Sequence, residues 1–234
     1  MTTAETRRIP TRDGDELDAH VALPEGSTGP GIVLCHEALG TTDYLRSVAD
    51  RLAALGYVVV APAVFWRIER NVELGHDDAG LTRAGEILGS FDAEAGAGDL
   101  VDALAMLRAQ PEVTGPVGVM GHCFGGLMSY LAACAGDPAC LVSYYGVGID
   151  AALDGATALT CPALFHFGTD DAFVPVGTVD QLRGALGAKP NVEFETYDGA
   201  GHAFENPQAP WYDADAAVRA WDRSVAFLAE KLGN

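Results

Sequence analysis

The chain has 234 residues, 49% of them apolar and 20% charged, which is ordinary globular usage and excludes a disordered chain. Its 14 basic and 33 acidic residues give a formal net charge of −19, a field that disfavours nucleic acid and anionic membrane surfaces as partners. Apolar runs are too short for a membrane-spanning helix, and the charged start Met1-Thr-Thr-Ala-Glu-Thr-Arg-Arg8 leads into no apolar core, so no signal peptide is expected.

No linker, internal repeat or low-complexity segment interrupts the chain, so residues 1–234 read as one domain. Leu17–Ala22 alternates in and out and predicts an edge hairpin before Pro30. Ile32–Cys35 and Val58–Ala61 read as short buried strands. Between them, Leu45, Val48, Ala49, Leu52 and Leu55 recur at helical spacing, with Gly56 as the stop. Asn71–Gly89, polar and holding four glycines, reads as a loop with a loose helix. Helix 92–110, strand 117–120, helix 125–135, strand 140–144 and strand 163–167 follow. Helix 176–186, strand 192–197 and helix 212–232 complete the chain. This alternation predicts an α/β fold with a mostly parallel central sheet and helices on both faces. Ligands of such sheets bind beyond the carboxyl ends of the strands.

The five cysteines are odd in number and widely spaced, without a CxxC pair, which argues against a disulfide framework or a zinc site. They point to a reducing, cytoplasmic setting. His76-Asp-Asp78 lacks further ligands at fitting spacing, and His36-Glu37 is followed by Gly40 where a zinc-binding HExxH would need His, so no metal and no cofactor is expected.

Chemistry concentrates at Gly121-His-Cys-Phe-Gly-Gly126, a G-x-C-x-G turn between a predicted strand and helix. With serine at its centre this is the nucleophile elbow of α/β-hydrolases. The glycines leave room for a strained turn, and the following helix offers free N–H groups to a thiolate or oxyanion. A buried structural cysteine is the alternative for the motif alone. Acids at Asp170 and Asp171 and then His202 follow, each after a predicted strand, in the fold's order of nucleophile, acid and histidine. Asp171 stands in the D-x-x-V-P arrangement usual in α/β-hydrolases, and it is this likeness to the fold's pattern that favours it over Asp170. Phe65, Trp66, Tyr144 and Tyr145 lie near strand ends and could wall an apolar pocket, with core packing as the alternative, favoured for Tyr144. His36 could reach substrate or simply pack beside the site.

These pieces resemble the dienelactone hydrolase (carboxymethylenebutenolidase) family of α/β-hydrolases. The matching segments are His36-Glu-Ala-Leu-Gly40, Phe91–Gly96, Gly121–Gly126, Tyr144–Gly148, Asp171–Pro175 and Ala200–Phe204, in order over almost the whole chain. The resemblance implies Cys123, Asp171 and His202 as a triad and Glu37 as a carboxylate that helps convert the thiol to thiolate. It also implies the N–H groups of Phe124 and Ala38 as oxyanion donors. Two family arginines that hold a substrate carboxylate are replaced, by Asn206 and by Leu81, with Arg83 two residues on as a substitute cation. An aromatic pair on the same helix is replaced by Gly85 and Leu88. Arg67 and Arg70 are further cations that could reach the pocket or remain solvated.

The expectation is therefore a cysteine hydrolase of a small ester or lactone, a monomer or small homo-oligomer, with no nucleic-acid or membrane partner. A thioesterase or general carboxylesterase with the same triad is the alternative within enzymology. A non-catalytic member that binds a ligand or senses oxidants through Cys123 is the alternative outside it.

Overall fold

The computed structural model describes residues 2–233. Eight strands form one sheet: β1 (Thr3–Pro10), β2 (Glu16–Leu23), β3 (Gly29–Cys35), β4 (Val58–Pro62), β5 (Val113–His122), β6 (Leu141–Tyr144), β7 (Ala163–Gly168) and β8 (Val192–Tyr197). Their spatial order is β1-β2-β4-β3-β5-β6-β7-β8. β1 and β2 form the expected antiparallel hairpin, and β2 pairs antiparallel with β4. All pairings from β4 through β8 are parallel. The carboxyl ends of six strands therefore share one edge of the sheet.

The apolar runs are nearly unbroken because both sheet faces are buried. Successive side chains point to opposite faces. Val33, Val58, Val60, Val119 and Phe165 enter one core, whereas Ile32, Val59, Met120, Val142 and Leu164 enter the other. The first core is closed by helices α3 (Ala93–Arg108), α4 (Phe124–Ala135) and α5 (Val176–Leu186), which contribute Leu104, Met128 and Leu182. The second is closed by α1 (Asp43–Ala54) and α6 (Ala214–Leu232), through Leu45, Leu52, Phe227 and Leu228.

Residues 71–89 differ from the expected loose segment. Asp78–Gly89 is a regular helix, α2, and the Asp77 carboxylate caps it by accepting from Gly80 N at 2.8 Å. Its narrow buried stripe, Gly80, Ala84 and Ile87, explains the weak amphipathic signal. β5 starts four residues earlier than its apolar run suggests, and a 3-10 segment at Ile149–Ala158 follows β6 without a marked sequence signal.

Candidate active site

Cys123 sits between the end of β5 and the first residue of α4, at φ 55° and ψ −121°. A β-carbon disfavours this backbone region, so the turn stores strain that its surroundings must hold. They hold it through the Cys123 amide, which donates to Tyr144 O at 2.9 Å, and the Cys123 carbonyl, which accepts from Gly126 N at 2.9 Å. The two flanking glycines are required by space. A β-carbon on Gly121 would stand 2.1 Å from Gly125 O, and one on Gly125 would stand 2.4 Å from Cys35 O. Tyr145 at φ 38° and Ala203 at φ 54° are strained neighbours of the same site.

His202 lies on the loop after β8, and Asp171 on the loop after β7. His202 Nδ1 and Asp171 Oδ2 are 2.8 Å apart, with both residues buried. The Nδ1–H donates to the carboxylate, which fixes the tautomer and leaves the ring's other nitrogen for the nucleophile. The second carboxylate oxygen, Oδ1, accepts from the amides of Phe173 (2.7 Å) and Val174 (3.0 Å). Asp170 is exposed and uses its amide to hold Ala200 O, so of the two acids only Asp171 meets the histidine. Cys123 and His202 line the same cavity. Burial opposes a charge on the imidazole, but the hydrogen bonds and negative charges of Asp171 and Cys123 outweigh it and raise His202 to about 10. The imidazole is therefore held charged, with Asp171 on one side and the cavity on the other.

Glu37 follows β3 and lines the same cavity. Its Oε2 accepts from Asn206 Nδ2 at 2.8 Å and its Oε1 from the Tyr145 hydroxyl at 3.4 Å. Burial pushes this carboxyl up to about 7, against the hydrogen bond from Asn206 and the positive field of His202. Ala38 and Phe124 both face the cavity beside Cys123. The amide of Phe124 opens α4, where N–H groups lack partners within the helix.

The cavity has a volume of about 580 Å³. None of the six residues expected to touch substrate lines it. His36 is buried, donates from Nδ1 to Glu37 O at 2.7 Å and packs edge-on against Phe65. Phe65 is itself a core residue, its ring tilted against that of Phe124 at 5.1 Å. Trp66 turns away to donate to Asp99 at 2.7 Å. Tyr145 is fully buried behind His202, its ring 5.0 Å from the imidazole. Asn206 is occupied with Glu37. Arg83 lies outside the cavity, paired with Glu69 at 2.6 Å and Glu86 at 2.7 Å. Arg67 is bound to Asp99 and Asp13, and Arg70 to Asp18.

The walls come instead from residues the sequence reading passed over, notably Leu39, Leu127, Met128, Phe173 and Trp211. Phe173 stood two places from the acid, and Trp211 was a large aromatic in a polar, proline-containing stretch; both were available signals. Behind the site, Glu205 is a further buried carboxylate that the sequence reading did not single out. It accepts from the Tyr44 hydroxyl and from Arg51 at 2.9 Å.

The sequence model described as "Dienelactone hydrolase family" matches residues 17–232. A carboxymethylenebutenolidase of Pseudomonas putida is 35% identical over 222 residues, covering 94% of this chain and 94% of its own. Among solved structures, a dienelactone hydrolase-like promiscuous phosphotriesterase from metagenomic libraries superposes with a TM-score of 0.80 at 27% identity, covering 98% of this chain and 99% of its own. A dienelactone hydrolase from Anabaena variabilis shares the fold, with a TM-score of 0.73 at 18% identity and 99% coverage of both chains.

Proposed function

The chain belongs to the dienelactone hydrolase family, and from that premise we propose that it cleaves a small ester or lactone through Cys123, by way of a thioester. The observation that carries this reading is the convergence of three strand ends, which sets Cys123 and His202 in one cavity with Asp171 hydrogen-bonded to the imidazole at 2.8 Å. The thiolate attacks the ester carbonyl, and the oxyanion is received by the amides of Phe124 and Ala38. On collapse the carbon–oxygen bond breaks, and the leaving alkoxide takes the imidazolium proton of His202. Water then attacks the thioester, His202 accepts its proton, and the thiolate leaves as the free acid departs. Asp171 holds the imidazole through both steps. Glu37, held near neutrality in its protonation, is the group beside the cavity that can exchange a proton with the resting thiol.

The setting we propose is cytoplasmic: all five cysteines are free thiols, which suits a reducing compartment. No helix among the described residues is long and apolar enough to cross a membrane. The partner is a small molecule. The test is acyl-enzyme trapping with an activated ester: mass spectrometry should place the acyl group on Cys123, and Asp171→Asn should lower kcat by on the order of 10²–10⁴. Wild-type turnover by Cys123→Ala would overturn the assignment. Stoichiometric thiol oxidation without ester turnover would favour the redox-sensing alternative.

A further inference from the structure

The cavity beside Cys123 is charged only at its floor. Glu37, Cys123 and His202 stand there, and His76 lines another part of the wall, disfavoured from charging by burial. No lysine or arginine among the described residues lines it. The cation that comes near in sequence, Arg83, is held outside by two glutamates. A carboxylate entering this cavity would meet Glu37, and the one cation there, His202, is already paired with Asp171 at 2.8 Å, in a chain of net charge −19.

The mouth has the opposite character. Nine large apolar side chains are exposed among the described residues, and four of them, Leu81, Leu88, Phe173 and Trp211, ring this one cavity. They come from two separate regions of the fold, α2 on one side and the loops before α5 and α6 on the other. Scattered exposed apolar residues need no explanation, but a cluster around one opening marks a surface that something apolar covers. On the α2 side, between Leu81 and Leu88 in sequence, Gly85 lines the wall. A β-carbon placed on it would meet nothing within 4 Å, so a helical position that would tolerate a side chain has been left open toward the cavity.

Resting on the hydrolase reading above, we infer that the substrate is an uncharged ester whose extended apolar chain lies from the thiol along the Gly85 face of α2, its far end covered by Leu81, Leu88, Phe173 and Trp211. Each methylene buried there should raise kcat/KM by up to about fourfold, from roughly 0.8 kcal/mol per group.

The experiment compares nitrophenyl acetate, butyrate, hexanoate and octanoate with the nitrophenyl half-ester of suberate, which matches octanoate in length but ends in a carboxylate. In the wild type, kcat/KM should rise at least about tenfold from acetate to octanoate, and octanoate should exceed the half-ester by at least about tenfold. Gly85→Leu, filling the open wall, should lower the octanoate-to-acetate ratio of kcat/KM by at least about tenfold. A flat series, a preference for the half-ester, or uniform loss in Gly85→Leu overturns the inference and leaves the hydrolase reading standing. Turnover of none of the five esters by the wild type overturns that reading, and this inference with it.

Discussion

The side-chain amide of Asn206 donates to the carboxylate of Glu37 across 2.8 Å, in a site where both residues are buried. That single bond does not offset the loss of water, and Glu37 is pushed up from 4.5 to about 7. A carboxyl whose folded pKa lies above its unfolded one stabilises the fold fully below the unfolded value, and that contribution is lost as pH rises through the folded value. For Glu37 the window runs from about 4.5 to about 7.

Glu37→Gln removes this titration while keeping an oxygen for Asn206 to donate to. The variant should gain stability over the wild type as pH rises from 5 to 8, by on the order of 2–3 kcal/mol. Denaturant melts of both proteins at each pH measure it. A difference that stays constant across the range would show that Glu37 is not the group being neutralised by burial.

The strained backbone at Cys123 gives a prediction that separates activity from stability. Cys123→Ala and Cys123→Gly should both be inactive on every ester tested. They should differ in stability, because alanine keeps the β-carbon at φ 55° and glycine does not. Glycine should be the more stable of the two by about 1 kcal/mol. Calorimetry of the two variants decides it; equal or reversed Tm values would mean that the elbow carries no strain.

Much of this architecture was legible in the chain. Val176–Leu186 and Val192–Tyr197 fall where the residue pattern places them, because each is a short run bounded by clear breakers. The triad order was legible because each member follows a strand, and the parallel sheet brings strand ends together. The substrate wall was not. Phe65, Trp66 and Tyr145 do lie near strand ends, as read, but a position near the edge does not say which way a side chain turns. Tyr145 turns behind His202 because its positive-φ backbone is pinned by its amide to His166 O at 2.7 Å. Asn206 looked like a substrate contact because it stands where the resembled family has a substrate-binding arginine, and its pairing with Glu37, 169 positions away in sequence, has no local signal. α2 was underread because it buries only three residues and exposes the face that borders the cavity.

The five thiols should react in a defined order. Burial pushes Cys140 up to about 12 and Cys161 to about 11, and raises the fully buried Cys35 as well. Cys134 is half-buried and also raised by burial. Cys123 is half-buried too, but it alone shares a cavity with His202 and stands at the start of a helix. Limited iodoacetamide treatment followed by peptide mapping should label Cys123 first and Cys134 second. Early labelling of Cys35 or Cys161 would contradict the assignment. In His202→Ala the preference for Cys123 should fall toward that of Cys134, because the thiolate has lost its imidazolium partner.

Two glycines, Gly125 in α4 and Gly85 in α2, should respond with opposite sign to the same substitution. Gly125 packs under the elbow, where an added β-carbon would stand 2.4 Å from Cys35 O and 2.5 Å from His36 O. Both are backbone atoms of β3 and its following turn, so neither can rotate aside. Gly125→Ala should therefore displace the elbow from β3, costing about 3 kcal/mol or more and most of the activity. Gly85 lies inside α2 with open space around its missing side chain. There alanine restores helix propensity without a clash, and Gly85→Ala should stabilise the protein by about 0.5–1 kcal/mol with acetate turnover intact. Paired urea melts and initial rates test both halves. A destabilised Gly85→Ala would mean that α2 needs glycine for its backbone, and the open wall beside the cavity would then be a by-product of helix geometry.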